Sequence, residues 1–362
     1  MPPGELFDDP YFSPQELPMP RKVTMPMVES PRQISFQETT LPDPSPHEVT
    51  IQVKACAICG SDVHVYKGMH PAAPLPAGIG HELSGLVAEV GKEVTRFKVG
   101  DRVCMNPMLF CGKCHYCRLS EYNHCLQVTF CYRIGQSGFA QYINRDEDWV
   151  YPLPSAISYG EGAVIEPTAT AVHGVQSSPI KLGSRIAIFG AGPIGLLILQ
   201  AAKAHGATWA AVVDIVDYRL ELARRLGADV TVNATREDPV ARIRELTQGL
   251  GVDVSFECVG LELTMRQSLM VLKKGGTAMA LGVFEKPMVE LNLQDMVNRE
   301  LQIRAILAYV WDFGTALDLV ATGRIQLQPL ITHTFPLARI QEAFELLLDP
   351  REKAVKVLIT HE

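Results

Sequence analysis

Apolar and polar residues alternate in short runs through the first half of the chain. In "EVTIQVKA", beginning at Glu48, Val49, Ile51 and Val53 fall on one face, the period of two that predicts a half-buried strand. Similar runs, such as "LSGLVAEVG" and "VGDRVCMNP", follow to about residue 155 with glycine and proline between them, so this half reads as mostly β. Near Arg185 the pattern changes to apolar strand, glycine turn and helix, repeated: "RIAIFGAGPIGLLILQAAKAHGA", "AAVVDI", "YRLELARRLGA", "VDVSFECVG". Alternating βα units predict a parallel sheet with helices on both faces, hence an α/β fold. Beyond about Arg304 come one helical stretch, "FGTALDLVATGRI", and short strands such as "AVKVLIT". Residues 1–20 are rich in proline and acidic residues with no amphipathic period, and we read 1–22 as a flexible tail.

At 362 residues the chain is long enough for two domains. Hydrophobic residues at 47% and charged residues at 20% describe a globular protein, and a formal charge of −7 gives no general attraction to nucleic acid or an anionic membrane. No apolar run of membrane-spanning length is present, nor an N-terminal signal pattern, so we expect a cytoplasmic protein. Thiols are kept reduced there, and nine cysteines, an odd number, fit a disulfide framework poorly.

Four of the nine cluster in "CGKCHYCRLSEYNHC": Cys111, Cys114, Cys117 and Cys125. Closely spaced thiolates on one loop can reach a single ion, so the run reads as a tetrahedral S4 zinc site. A redox C-x-x-C pair is the alternative. The usual spacings of iron–sulfur ligands differ from this one.

A second motif, "IAIFGAGPIG", carries Gly190, Gly192 and Gly195 straight after an apolar strand and at the start of a helix. In that context the glycines serve a tight turn, a close approach of backbone to pyrophosphate, and close packing of helix on strand. Asp214 closes the next strand, where a carboxylate would accept from the adenosine ribose and repel a 2′-phosphate, which favours NAD over NADP. Arg219, close by in sequence, could pair with Asp214 or reach a phosphate.

A third group is dispersed. Cys59, Ser61 and His64 lie in "CAICGSDVHVYKG", His81 and Glu82 are adjacent in "GIGHELSG", and Glu166 stands in the apolar "AVIEPTATAVHG". Cysteine, histidine and carboxylate together make a zinc site with one position left open, which is the catalytic kind.

Two zinc patterns followed by a dinucleotide fingerprint resemble the medium-chain, zinc-dependent alcohol and polyol dehydrogenases, over nearly the whole chain from about residue 25. "GHE", the downstream "GDRV" and the four-cysteine lobe carry the resemblance. It implies a GroES-like catalytic domain, 23–175 with 308–362, whose structural zinc lobe is 104–130, around a Rossmann NAD-binding domain, 176–307. By position it makes Cys59, His81, Glu82 and Glu166 the catalytic-zinc residues of the sorbitol-dehydrogenase branch. Cys111, Cys114, Cys117 and Cys125 would hold a structural zinc, and Ser61 and His64 would relay a proton to solvent. Gly190, Gly192, Pro193, Ile194, Gly195, Asp214, Arg219, Leu281, Gly282 and Val283 would bind the cofactor.

The same resemblance implies a small-molecule alcohol substrate and a homo-oligomer, tetramer or dimer. Some polyol enzymes carry an Arg-Tyr pair where this chain has Ala308 and Tyr309, which suggests a smaller or less hydroxylated substrate: a secondary alcohol or vicinal diol before a long polyol, with threonine dehydrogenases a further relative. A non-catalytic NAD-binding protein is the reading from another class. Cys56, Cys104, Cys131 and Cys258 read as ordinary buried or half-buried thiols.

Overall fold

The computed structural model describes residues 21–70, 73–284, 286–349 and 351–361. The expected tail lies outside them apart from its last two residues, and Arg21 and Lys22 already belong to strand Arg21–Ser30. Val23, Met25 and Val28 are buried, and the strand pairs antiparallel with Gln33–Leu41.

A mixed sheet runs Val150–Pro152, Arg102–Met105, Glu82–Val90, Glu48–Ala57, Lys356–Thr360, Ile331–Pro336, with Tyr142–Asp146 also paired to Glu48–Ala57. Alternation in "EVTIQVKA" buries Val49, Ile51 and Val53 completely, as the period predicts. The C-terminal strand inserts beside Glu48–Ala57 with Leu358 opposite Ala57, and Ala57 faces Glu82 on the other side. Three distant stretches of chain thus end at one corner of the sheet.

Six parallel strands form the second sheet, in the order Val230–Asn233, Trp209–Asp214, Arg185–Phe189, Val252–Glu257, Leu272–Ala280, Gln302–Ala305. This is the doubly wound order, whose reversal between the first and fourth strands opens a crevice at their carboxyl ends. Helices Pro193–His205, Asp217–Arg225, Pro239–Leu246, Glu262–Met270 and Leu293–Arg299 make the crossovers.

Helix Ile165–Gln176 connects the two sheets. Its Ile165, Ala169 and Val172 belong to one apolar cluster that also contains Ala55, Ala57 and Cys104 from the mixed sheet and Ile188 and Phe256 from the parallel one. Glu166 occupies the first turn, where the helix dipole favours a carboxylate. No helix among the described residues is long and apolar enough to cross a membrane.

Candidate active site and metal centres

At the corner of the mixed sheet, Cys59 caps the short helix Gly60–Tyr66, and His81 and Glu82 lead into strand Glu82–Val90. Donor atoms of Cys59, His81 and Glu82 all lie within 4.8 Å of one another. His81 and Glu82 are buried, and Cys59 is half-buried. Glu166 stands outside that three-residue group, with its Oε1 accepting from Tyr309 Oη at 2.8 Å. Burial pushes the Glu166 carboxyl up to about 7; Glu82 adds to the effect, while His81, the Tyr309 hydroxyl and Lys356 oppose it. A cysteine, a histidine and a buried carboxylate converging in one place are a donor set that suits a divalent ion of zinc's tastes.

Two partners that sequence reasoning passed over complete the surroundings. Asp62 is buried, accepts from the Cys59 and Gly80 N–H groups at 3.0 Å each, and lies 3.6 Å from His81 Nδ1. Burial alone would raise its carboxyl; His81 and the two amides outweigh that and hold it below the usual range. A histidine ligand is commonly oriented by such a carboxylate. Lys356, in the apolar strand Lys356–Thr360, directs its ammonium to both oxygens of Glu82 and to the Ile58 carbonyl at 3.2 Å. A lysine inside "AVKVLIT" was the available signal, since a lysine is almost never buried without a partner.

Ser61 and His64 are half-buried and three residues apart on helix Gly60–Tyr66, so both project from neighbouring turns of one face.

Cys111, Cys114, Cys117 and Cys125 are free thiols whose sulfurs also lie within 4.8 Å of one another. Cys114 Sγ is 3.5 Å and Cys111 Sγ 3.9 Å from Cys117 Sγ. An ion bound tetrahedrally at about 2.3 Å requires sulfur separations of about 3.8 Å. Backbone N–H groups of Cys117 and Leu126 bring the Cys114 thiol down to about 6, whereas burial pushes Cys117 up to about 12. Four thiolates this close need a cation before all can ionise. Cys56, Cys104 and Cys131 are buried and Cys258 is half-buried, as expected of thiols without a role in the sites.

In the dinucleotide crevice Gly192 caps helix Pro193–His205, with Pro193 and Ile194 in its first turn. A Cβ on Gly195 would sit 1.8 Å from the Gly190 carbonyl, while one on Gly192 would meet nothing within 4 Å. The first glycine is needed for packing, and the second leaves room for a ligand. Asp214 Oδ2 accepts from Ala191 N–H at 2.6 Å, and its Oδ1 from Ile215 and Val216 at 2.8 and 2.9 Å, so the carboxylate shapes the glycine loop. With two lone pairs per oxygen, Oδ2 can still accept a further hydroxyl. Arg219 points elsewhere: its guanidinium donates to Tyr218 Oη at 3.2 Å and the Ala354 carbonyl at 3.1 Å, pinning a crossover helix to the C-terminal segment. Pairing with Asp214 is not what this geometry provides. Leu281 and Gly282 follow the fifth strand with both N–H groups on the Glu257 carbonyl, and Val283 is exposed beyond them.

Residues 45–155 match the family described as alcohol dehydrogenase GroES-like domain, and residues 193–322 match zinc-binding dehydrogenase. The chain is 33% identical over 345 residues to sorbitol dehydrogenase of Bacillus subtilis, covering 94% of this chain and 98% of that one. It is 36% identical over 341 residues to (R,R)-butanediol dehydrogenase of the same organism, covering 91% and 96%. A zinc-binding dehydrogenase from Sinorhizobium meliloti, solved with NADP bound, superposes with a TM-score of 0.87 at 33% identity, covering 94% of this chain and 99% of that one. With both domains matched and the likeness running nearly end to end, the chain belongs to the zinc-dependent medium-chain alcohol and polyol dehydrogenases.

Proposed function

We propose that this enzyme oxidises a vicinal diol or short secondary alcohol to the ketone and passes the hydride to NAD. A zinc-dependent, NAD(P)-linked dehydrogenase acting on polyols or diols is what the family provides. The observation that carries the reading is the convergence of Cys59, His81 and Glu82 in a fold whose second sheet has the doubly wound order and shares one apolar cluster with the first. Bound there, zinc supplies the Lewis acidity that favours the deprotonated alcohol. Cys59, His81 and Glu82 would hold the ion, and Glu166 would stand beside it as a carboxyl able to hold a proton. Ser61 would receive the substrate proton and His64, one turn further along the helix, would release it, since an imidazole can both accept and donate a proton. Cys111, Cys114, Cys117 and Cys125 would hold the structural ion.

Substrate size follows from the pocket floor. Ala308 offers no hydrogen bond from its side chain, and the Tyr309 hydroxyl is already committed to Glu166. These two positions thus offer a long sugar chain fewer donors than an Arg-Tyr pair would. NAD is favoured by the Asp214 charge, which would repel a 2′-phosphate. The likeness to sorbitol dehydrogenase supports a second reading, a longer polyol.

The test is NADH or NADPH formation against butanediol, propanediol, sorbitol, xylitol, threonine and simple secondary alcohols. Turnover of the short diols with NAD is expected; turnover of sorbitol or xylitol alone would select the second reading, and silence of zinc-replete enzyme across the panel would overturn both.

The division into a catalytic part, 23–175 with 308–362, and a cofactor part, 176–307, belongs to this reading. So does a homo-oligomer, supported by the outer strand Gln302–Ala305, whose four residues are exposed and whose outer edge is unpaired among the described residues. Light scattering reads the mass directly, and a monomer would remove that part. Free thiols throughout fit a reducing compartment such as the cytoplasm.

A further inference from the structure

The segment between strand Gln302–Ala305 and helix Asp312–Ala321 is fastened at almost every residue. The Leu307 carbonyl accepts from Asn123 Nδ2 at 3.2 Å. Ala308 follows with φ 51, a left-handed conformation uncommon for a residue with a side chain. Tyr309, fully buried, donates to Glu166. The Val310 N–H donates to Asp312 Oδ2 at 3.0 Å, and the same oxygen lies 3.0 Å from His173 Nδ1 on helix Ile165–Gln176. Trp311 stacks on Trp149 with ring centroids 5.8 Å apart and meets Tyr122 edge-on at 5.3 Å.

Asn123 and Tyr122 sit in the turn Tyr122–His124, immediately before Cys125 in the four-cysteine lobe. Asn123 is buried, its Nδ2 is committed to a carbonyl 184 residues away, and its Oδ1 has no partner. A left-handed alanine costs of the order of 1 kcal/mol and persists only where its neighbours hold it from both sides. Asn123 holds the residue before Ala308, and Asp312 holds the turn after it. Releasing either side lets Ala308 relax to negative φ, which swings the Tyr309 ring away from Glu166.

We infer that Asn123 is a positioning residue through which the four-cysteine lobe sets the active-site carboxylate: it fixes the Leu307 carbonyl, the fixed segment aims Tyr309, and Tyr309 orients Glu166. The lobe thereby shapes the substrate pocket as well as its own loop. This inference rests on the dehydrogenase reading above.

Asn123→Leu, of similar shape, removes the donor together with an acceptor that bonds nothing, and Leu307 is exposed, so water can take over its carbonyl and the fold should be kept. The experiment is a double-mutant cycle with Tyr309→Phe on the zinc-loaded enzyme, followed by kcat/KM, zinc content and near-ultraviolet circular dichroism. Trp149, Trp209 and Trp311 are the three tryptophans, so a Trp209→Phe background isolates the signal of the stacked pair. Asn123→Leu is expected to lower kcat/KM about tenfold alone and less than about twofold in Tyr309→Phe, because residues acting in one chain are not additive. Zinc content should hold and the tryptophan signal should change. An equal fall in both backgrounds, a loss of zinc, or no fall with an unchanged spectrum would each overturn the inference. Should no alcohol be oxidised by any form, the dehydrogenase reading fails, and the spectrum alone decides the coupling: unchanged, it is refuted; changed with zinc retained, the contact between lobe and segment stands.

Discussion

Lys356 Nζ lies 2.9 and 2.7 Å from the two carboxylate oxygens of Glu82, and both side chains are sealed from solvent. A buried pair of this kind is strongly destabilising to break from one side, by about 3–5 kcal/mol, because the remaining charge is stranded. Glu82 is also a candidate metal ligand, so a cation can take over the pairing that the lysine provides. Lys356→Met is therefore expected to cost several times more stability in metal-free protein than in zinc-loaded protein. Urea unfolding of both forms checks it; equal losses in the two would mean that Glu82 does not face the ion.

Asp62 reaches His81 from behind while gripping the N–H groups of Cys59 and Gly80. It thus holds the Cys59 backbone directly and presents a carboxylate to His81 Nδ1. Asp62→Asn should retain the fold, since an amide oxygen can still accept one of those bonds, and should weaken zinc binding by about 10–100-fold, as other outer-shell changes do. Competition with a chromophoric chelator measures this, and unchanged affinity would remove Asp62 from the site.

The two glycines of the fingerprint separate packing from binding. A methyl at Gly195 meets the Gly190 carbonyl at 1.8 Å, so Gly195→Ala should fail to fold or unfold early. One at Gly192 meets only open space, so Gly192→Ala should fold normally and bind NADH about tenfold or more weakly, a loss of about 1.4 kcal/mol. Circular dichroism with a NADH fluorescence titration distinguishes them. Normal NADH affinity in Gly192→Ala would mean that the dinucleotide does not approach that backbone.

What could be read along the chain was whatever short-range spacing encodes. Four cysteines in one loop and three glycines between a strand and a helix announce themselves, because the atoms that must meet are already neighbours in sequence. The parallel sheet was legible for the same reason, each strand–turn–helix unit being local. Lys356, Tyr309 and Asn123 were not legible as partners of Glu82, Glu166 and Leu307. Those contacts, 274, 143 and 184 residues apart, exist only once the C-terminal strand has inserted beside Glu48–Ala57 and the last parallel strand has turned back toward the lobe. Arg219 misled for the complementary reason: proximity to Asp214 in sequence suggested a pair, while the geometry sends its guanidinium to Tyr218 and Ala354.

The remaining prediction concerns pH and lies away from the metal sites. Tyr66 is buried, donates to Glu345 Oε1 at 2.6 Å, and accepts from Gln341, while Arg32 pairs with the same carboxylate. Burial, reinforced by Glu345, pushes the Tyr66 hydroxyl up to about 12, and the Arg32 guanidinium with Tyr66 holds Glu345 below the usual carboxylate range. An unfolded tyrosine ionises near 10, so the stabilisation from Tyr66 is complete below that pH and is lost as pH rises from about 10 to about 12, at about 1.4 kcal/mol per pH unit at most. Glu345 acts in the opposite direction: its contribution is present above about 4.3 and fades as pH falls toward its lowered folded value. Tyr66→Phe should cost about 1 kcal/mol at neutral pH, the worth of one hydrogen bond, and should flatten the alkaline limb of stability against pH. Glu345→Gln should flatten the acid limb instead. Urea unfolding from about pH 2.5 to about pH 12 reads both limbs, and an alkaline limb as steep in Tyr66→Phe as in the parent protein would show that another group is titrating there.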